Sequence, residues 1–583
     1  LRIVLDCETD GLLHEVTTVW CIAVMDVDTE NVTTFSPCHQ GLDLSDFNSW
    51  LVQNHVVEII GHNIIGYDVP VLERLLGVDF SKVGVIDTLV LSRLYDPTRQ
   101  SHSLKSWGIE LNKHKGDYND WSKFTGEMLE YCVNDIRVTL AMYKVFDTED
   151  NSLSTESVAL EHRTAGAIGR QTRRGWLLDE RKSMVLVAEL QSEIVNVTAK
   201  VRETFKPLPV FVPLNHPGQK KLNKDGSISA RYQKQLDLGA EWVDDVWGYY
   251  DYPEFNLGSR QQIGRYLQHF GWKPKETTET GLPVVNEKTL GEITDIPEAE
   301  LINNYLMLQK RYAQVTSWLK ALSNDGRIRG YVNPCGTVTG RMTHSKPNLA
   351  QVPAVYSPYG KECRSLFVVP KGYKLVGMDA SGLELRMLAH YMNDKDYTYE
   401  VLNGDIHTAN QRAAGLESRD KAKTFIYAFL YGAGDGKIGE IVGGTARQGK
   451  VLKANFLNNT PALATLRSRV AKASGKGYLK GLDGRRIKVR SEHSALNTLL
   501  QGAGAVVMKQ ALVHLEDYAN KEGLDYHFIG NIHDEIQTEV REDQATRFGE
   551  LAVQAVVDTT ETLNLRCPLD AEYKIGNNWA DTH

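Results

Sequence analysis

At 583 residues the chain is too long to close around one core, so several domains are expected. With 42% hydrophobic and 24% charged residues it has an ordinary globular make-up, and a net charge of −8 excludes a uniformly basic nucleic-acid binder while leaving room for a local basic cleft. Seven scattered cysteines (Cys7, Cys21, Cys38, Cys132, Cys335, Cys363 and Cys567) without a C-x-x-C pair exclude a disulfide framework and a cysteine zinc site, and no apolar run reaches the roughly 18 residues of a membrane span. The opening segment reads as a strand rather than a signal peptide, so a cytoplasmic protein is expected.

The first predicted element is the strand Arg2-Ile-Val-Leu-Asp6-Cys-Glu8, in which Asp6 and Glu8, two apart, share a face. The apolar segment 20–25 predicts a second strand in a hairpin with it. Ile59-Ile60-Gly61-His62-Asn63 then leads through a turn to Tyr67-Asp68, and residues 130–139 predict a helix with Tyr131 and Asp135 one turn apart. This order of acids resembles the DEDD exonucleases of the tyrosine subtype. The resemblance implies a ribonuclease H-like α/β fold that removes nucleotides from a 3′ end, with Asp6, Glu8, Asp68 and Asp135 as metal ligands and Tyr131 orienting the attacking water. Carboxylates crowded in that way repel one another and hold protons unless cations neutralise them, so two Mg²⁺ ions are expected.

From Ser157 to Phe205 apolar residues recur at helical spacing. The texture then changes: 206–234 is rich in Pro, Gly and Lys, and 241–254 is acidic and aromatic, which predicts an extended insertion before helical pattern resumes near Arg260 and runs on through 301–322.

In the last part, the apolar run Leu375–Met378 predicts a buried strand delivering Asp379, followed by a helix from Leu383. Phe528-Ile-Gly-Asn-Ile-His533-Asp534-Glu535 predicts two strands joined by a tight turn carrying Asp534 and Glu535. Hard oxygen ligands from two strands suit Mg²⁺ better than zinc. Between them, Arg419, Lys423, Tyr427 and Tyr431 recur every four residues along one predicted helix, offering two cations to a triphosphate and two rings to a base and ribose. The glycines of 434–439 lack a G-K-[ST] ending, so no P-loop is expected; they are read as a helix-ending loop. Residues 481–490 predict a basic hairpin with an Asp-Gly turn, and 495–504 the start of an apolar helix.

Three stretches resemble family A (polymerase I-like) DNA polymerases: Thr339-Gly-Arg341 through Pro347-Asn348-Leu-Ala-Gln351-Val-Pro353, the Arg419–Gly432 helix, and His533-Asp534-Glu535. This chain has Ala350 where the common signature runs directly into Gln, a variation shared by phage members. Members from short-tailed, T-seven-like bacteriophages match DASGLELR, ALNTLLQ and Gly576-Asn-Asn-Trp579-Ala best. The resemblance implies an α/β multidomain chain: a ribonuclease H-like 3′-5′ exonuclease domain (1–150), a helical thumb region (151–335) with an insertion at about 206–254, and palm and fingers (336–583, fingers about 400–480) completing a right-hand polymerase.

It further implies two Mg²⁺ at the polymerase site, with Mn²⁺ able to substitute, held by Asp379, Ala380 and Asp534 with Glu535 as a weaker contributor. His407, Arg419 and Lys423 become phosphate ligands, Tyr427 stacks near the incoming base and carries a hydroxyl suited to dideoxynucleotide use, and Tyr431 with Glu384 blocks a ribose 2′-OH. Arg341, Asn348, Gln351, Asn497, Gln501 and His533 line the primer-template. Implied partners are primer-template DNA, dNTPs, a phage helicase-primase and a host thioredoxin-like processivity factor on the insertion, within the cytoplasm of an infected bacterium. A single-subunit RNA polymerase shares the Arg-Lys-Tyr helix and the paired Asp; Glu384 and the N-terminal nuclease argue against it, and the complete set of metal and triphosphate residues argues against a repair nuclease with a dead polymerase half.

Overall fold

The structure, a computed structural model, describes residues 1–37, 41–113, 115–147, 153–216 and 221–583. Cys38 lies outside them; the other six cysteines are buried and free. The chain forms two compact units, one of residues 1–178, 321–355 and 364–583, the other of 179–320 and 356–363. Among the described residues no helix is long and apolar enough to cross a membrane.

The first unit begins with a five-stranded sheet made from β1 (Arg2–Thr9), β2 (Val19–Asp26), β3 (Val32–Phe35), β4 (Glu58–Gly61) and β5 (Gly84–Asp87), in the order β3-β2-β1-β4-β5. β1 runs antiparallel to β2, as the hairpin expectation requires, and parallel to β4. Alternation sorts β1 into two faces. Ile3, Leu5 and Cys7 enter one apolar cluster, and Val4 enters another with Met128, Cys132 and Ile136 of the helix α2 (Gly126–Phe146). Asp6 and Glu8 follow Val4 in phase, so both face α2, where Tyr131 and Asp135 sit. Asp68 opens the helix α1 (Asp68–Leu76).

The helical pattern expected over 157–205 is present as two helices with a short strand between them. The helix α3 (Thr155–Arg174) ends at Gly175, and residues 176–178 form a short strand between Arg327–Ile328 and Phe367–Val368. Gly175 has φ +68°, and a Cβ there would lie 2.7 Å from the Ile328 carbonyl oxygen, so the turn needs glycine.

The second sheet of this unit has four antiparallel strands: β6 (Tyr373–Ala380), β7 (Tyr526–Ile532), β8 (Glu535–Arg541) and β9 (Ala571–Gly576), ordered β7-β8-β6-β9. Val376, Met378 and Ala380 point into one large core with Leu388, Val507, Ile536 and Val556. The helices that build the site around this sheet are α4 (Leu383–Met392), α5 (Ile406–Ala414), α6 (Arg419–Leu430) and α7 (Ala495–Lys521).

A buried ionic knot joins α3 and α7 to the hairpin at 478–488. Arg485 donates to Asp483 and, at 2.7 Å, to Glu161 of α3, and Lys509 of α7 donates to the same Glu161 oxygen. All four side chains are nearly fully buried, so each needs the others to offset its desolvation. The expected basic hairpin is thus present, but its central Arg485 is an internal tie rather than a surface cation.

In the second unit, helices Glu180–Thr204 and Pro297–Lys320 pack along each other. The insertion is more ordered than its composition predicts: strands Val210–Pro213, Glu241–Val243 and Val246–Asp251 form a small sheet beside a helix at Ala230–Asp237, with residues 217–220 outside the described set. Trp242 and Trp247 meet with ring centres 5.6 Å apart.

Candidate active sites

The sequence-predicted acids gather at two places. At the first, β1 holds Asp6 and Glu8 against α2. β4 pairs with β1 only as far as Val4, which leaves the Cys7 N–H free to donate to Asp68 Oδ1 at 3.0 Å and so brings the start of α1 to the same spot. Asp135 completes the group from α2. Its Oδ2 accepts from Lys115 Nζ, while its Oδ1 is buried without a hydrogen-bond partner. Burial, then the crowding by Glu8, Asp68 and Asp135, pushes the Asp6 carboxyl well above its usual range. Burial, then Asp135, Cys21 and Asp68, takes Glu8 to about 9 against the pull of Lys115. Burial takes Asp68 to about 7 against the opposing hydrogen bonds from Cys7, and raises Asp135 against the pull of Lys115. An oxygen-lined cluster that protonates for want of positive charge, with an orphaned carboxylate oxygen, fits a divalent hard cation. Cys132 lies close enough to join Asp6 and Glu8 around one ion, but burial holds its thiol protonated and it donates to Asp6, so it is no ligand. Neither Cys132 nor Lys115 is anticipated by the acid pattern.

These shifts have a signed consequence. The folded protein holds protons on Glu8 between about pH 4.5 and 9 that the unfolded chain has released, so this group's contribution to stability falls as pH rises through that window. Glu8→Gln copies the protonated form. In EDTA its first thermal transition is expected to gain on that of the wild type steadily from pH 5 to pH 9, measured by circular dichroism; a pH-independent difference would contradict the shift.

The second place is the floor of the four-stranded sheet. Asp379 on β6 pairs in register with Glu535 on β8, and the Ala380 N–H donates to the Asp534 carbonyl at 3.0 Å. β7 and β8 are joined by only His533 and Asp534, and His533 takes a left-handed φ of +58°, which turns Asp534 back beside Asp379. Partial desolvation, then the Asp534 and Glu535 carboxylates, lifts Asp379 to about 6; burial also raises Asp534. Glu535 behaves differently. Burial would raise it, but donors from His583, Trp579 (2.7 Å) and Gln537 (2.6 Å) to its Oε1 hold its carboxyl below the usual range.

A cleft of about 760 Å³ rises from Asp379 and Asp534, and Arg341, Ala380, Glu384, Tyr427, Tyr431, Gln501 and His533 all line it. The Tyr431 hydroxyl, one residue past the end of α6, donates to Glu384 at 2.6 Å, and Arg341 stands 3.4 Å from the same oxygen. Gly340 has φ +76°, and a Cβ there would come within 2.6 Å of Arg485, so the loop carrying Arg341 is seated on the buried knot. Gln501 also donates to Asn497 at 2.9 Å, one turn earlier on α7.

The remaining predicted residues stand apart from the cleft wall. Arg419 pairs with Asp405 at 2.6 Å at the exposed start of α6, and Lys423 is exposed one turn on. His407 of α5 lies 6.1 Å from the Tyr427 ring; desolvation, then Arg419 and Lys423, lowers its affinity for a proton, as expected beside a cationic patch. The Asn348 side chain caps a short turn by accepting from the Ala350 N–H, and Gln351 is exposed beside it. The glycines of 434–439 do not form a helix-ending loop: Gly432 (φ +75°) ends the previous element, and Gly434 caps a new helix, Asp435–Ile441.

Comparison with known proteins agrees with this layout. The RNase H superfamily model matches residues 3–146, and the model for DNA polymerase family A matches residues 227–581. The chain is 35% identical to the DNA-directed DNA polymerases of Escherichia phage T7 and Enterobacteria phage T3, each alignment covering 100% of both chains. The solved POL domain of Pol1 from M. smegmatis, in complex with DNA primer-template and dNTP, shares the fold with a TM-score of 0.78 at 18% identity, over 100% of this chain and 96% of that one. Both kinds of domain generally depend on divalent metals. With an RNase H-like exonuclease domain ahead of its polymerase sheet, and relatives matched from end to end, the chain is a phage-type DNA-directed DNA polymerase and belongs to DNA polymerase family A.

Proposed function

We propose that the two acidic centres are separate metal-dependent sites, one extending a primer by template-directed addition and one proofreading its 3′ end. The observation that carries this reading is the convergence of Asp379 and Asp534 from adjacent strands onto one cleft that also holds Tyr427 and the Glu384–Tyr431 pair. Two Mg²⁺ ions held by Asp379, Asp534 and the Ala380 carbonyl would make the primer 3′-hydroxyl nucleophilic and neutralise the triphosphate. The primer O3′ then bonds to the α-phosphorus as its bond to the β-phosphate oxygen breaks, and pyrophosphate leaves. Arg419, Lys423 and His407 offset the charge that develops on it, Tyr427 stacks near the new base, and Glu384 with Tyr431 excludes a 2′-hydroxyl. Arg341, Asn348, Gln351, Asn497, Gln501 and His533 take the primer-template through contacts common to all sequences. At the other site Asp6, Glu8, Asp68 and Asp135 would hold a further two Mg²⁺, which would bind the scissile phosphate and activate water that Tyr131 orients. Glu535 acts from the side by fixing the strand that presents Asp379.

In this reading residues 1–150 are the nuclease, 151–335 the thumb region and 336–583 the palm and fingers, working in an infected bacterial cytoplasm with a phage helicase-primase. Its exposed Trp242 and Tyr252 make the insertion the place for a thioredoxin-like processivity partner. One experiment tests the set: extension of a labelled primer-template with Mg²⁺, offering dNTPs, ribonucleotides, or dNTPs plus thioredoxin under a DNA trap. Expected are extension with dNTPs, rejection of ribonucleotides that weakens in Glu384→Ala, and longer products with thioredoxin. Equal use of ribonucleotides, or unchanged product length, removes the corresponding assignment.

A further inference from the structure

Among the described residues, the nuclease centre holds a cation, Lys115, beside its acids. Lys115 Nζ pairs with Asp135 and lies 4.7 Å from the centre of the Tyr131 ring, so it touches both the metal-ligand set and the water-orienting residue. Its other side is not enclosed. Lys115 lines an open cleft of about 400 Å³ whose walls include His62, Asn63, Ser103, Lys105 and Tyr331. A lysine serving only as counter-ion to Asp135 would be expected to be closed over by protein; this one stands at the doorway between the acids and the groove. Further along that groove, Lys105, in an exposed pair with Asp117 at 3.1 Å, supplies a second ammonium and Tyr331 a half-exposed ring, the pairing of charge and aromatic platform that suits a single strand.

We propose that Lys115 is a catalytic residue of the nuclease, its ammonium moving from Asp135 to a non-bridging oxygen of the phosphate that joins the last two nucleotides of a strand lying in this groove. The four acids repel that phosphate, and a mobile point charge on a flexible stem can follow it as charge builds. In the step itself, water oxygen bonds to phosphorus and the bond from phosphorus to the penultimate O3′ breaks. The water's proton passes to solvent, the penultimate O3′ takes a proton, and a 5′-mononucleotide is released; Lys115 forms no covalent bond. When no strand is bound, Asp135 holds the ammonium.

This inference rests on the nuclease reading of the centre, and the test separates the two. The full chain, Lys115→Met, Lys115→Arg and Asp6→Ala/Glu8→Ala are given a single-stranded oligonucleotide at saturating Mg²⁺, and mononucleotide release is followed. Mn²⁺ affinity is read by electron paramagnetic resonance, and primer extension reports on folding. Lys115→Met is expected to lower the release rate about 100-fold, Lys115→Arg to stay within about tenfold of the wild type, and Mn²⁺ to bind no more weakly to either. Release by Lys115→Met within about threefold of the wild type overturns the proposal. So does Lys115→Arg as slow as Lys115→Met with weakened Mn²⁺ binding, which marks a structural role. A wild type that releases nothing, or a double variant that matches it, overturns the nuclease reading instead.

Discussion

Asp534→Ala is expected to lower primer extension by at least about 10³-fold while leaving nucleotide removal from a single strand unchanged. Positioned groups that meet charge only in the transition state are worth about 10²–10³ each, and a carboxylate that fixes the metals on which the nucleophile and leaving group both depend is worth no less. Geometry makes Asp534 hard to replace. It occupies a two-residue turn whose first residue, His533, is left-handed, and its own carbonyl is engaged by Ala380, which sets its carboxylate beside Asp379. Glu535, next in sequence and the register partner of Asp379, is committed elsewhere, because its Oε1 accepts from Trp579, Gln537 and His583. Asp534→Ala also removes a negative neighbour from Asp379, so that carboxyl should ionise more readily, which argues against a rescue at higher pH. Single-turnover addition of one dNTP measures the effect. Extension within about tenfold of the wild type would mean that the cleft works without this carboxylate, and the two-acid reading would fall.

Much of this was legible because the informative residues sit where backbone geometry is set locally. The period of two in β1 puts Asp6 and Glu8 on one face, the four-residue spacing along α6 follows from a helix, and the turn at 533–534 is short enough to read directly. What the sequence hid is long-range or compositional. Lys115 meets Asp135 across 20 positions from a segment with no periodicity, and Arg485 looks like a surface cation until Glu161, more than 300 residues earlier, is seen to pair with it. The glycines at 434–439 suggest a loop because glycine favours turns, yet Gly434 serves as a cap and the helix begins at once. The insertion reads as a loop because its strands are three to six residues long, too short to show alternation among Pro, Gly and Lys. His583 contacts Glu535 through tertiary packing alone, and nothing in its own neighbourhood announces that.

Asp6→Ala/Glu8→Ala is expected to abolish shortening of a labelled strand, by at least about 10³-fold, while primer extension proceeds at the wild-type rate. The two side chains leave from the face of β1 turned toward α2, whereas the register of β1 with β2 and β4 is carried by backbone bonds and by Ile3, Val4, Leu5 and Cys7, so the sheet is retained. Burial, not Asp6 or Glu8, raises the Asp68 and Asp135 carboxyls, so the double variant does not free them to ionise. Asp68 and Asp135 beside Lys115 make at most a weak cation site, one that has lost the strand-borne acids, so a metal bound there would be misplaced for the attacking water. The separation of effects is the informative part. Asp6 and Glu8 lie on the five-stranded sheet and Asp379 on the four-stranded one, and no residue is shared between the two acidic centres. The share of extended product that retains a mismatched primer end should therefore rise in the double variant, since the mismatch is no longer trimmed before extension. A parallel loss of extension would mean that the two centres depend on each other, against the independence their separate sheets imply.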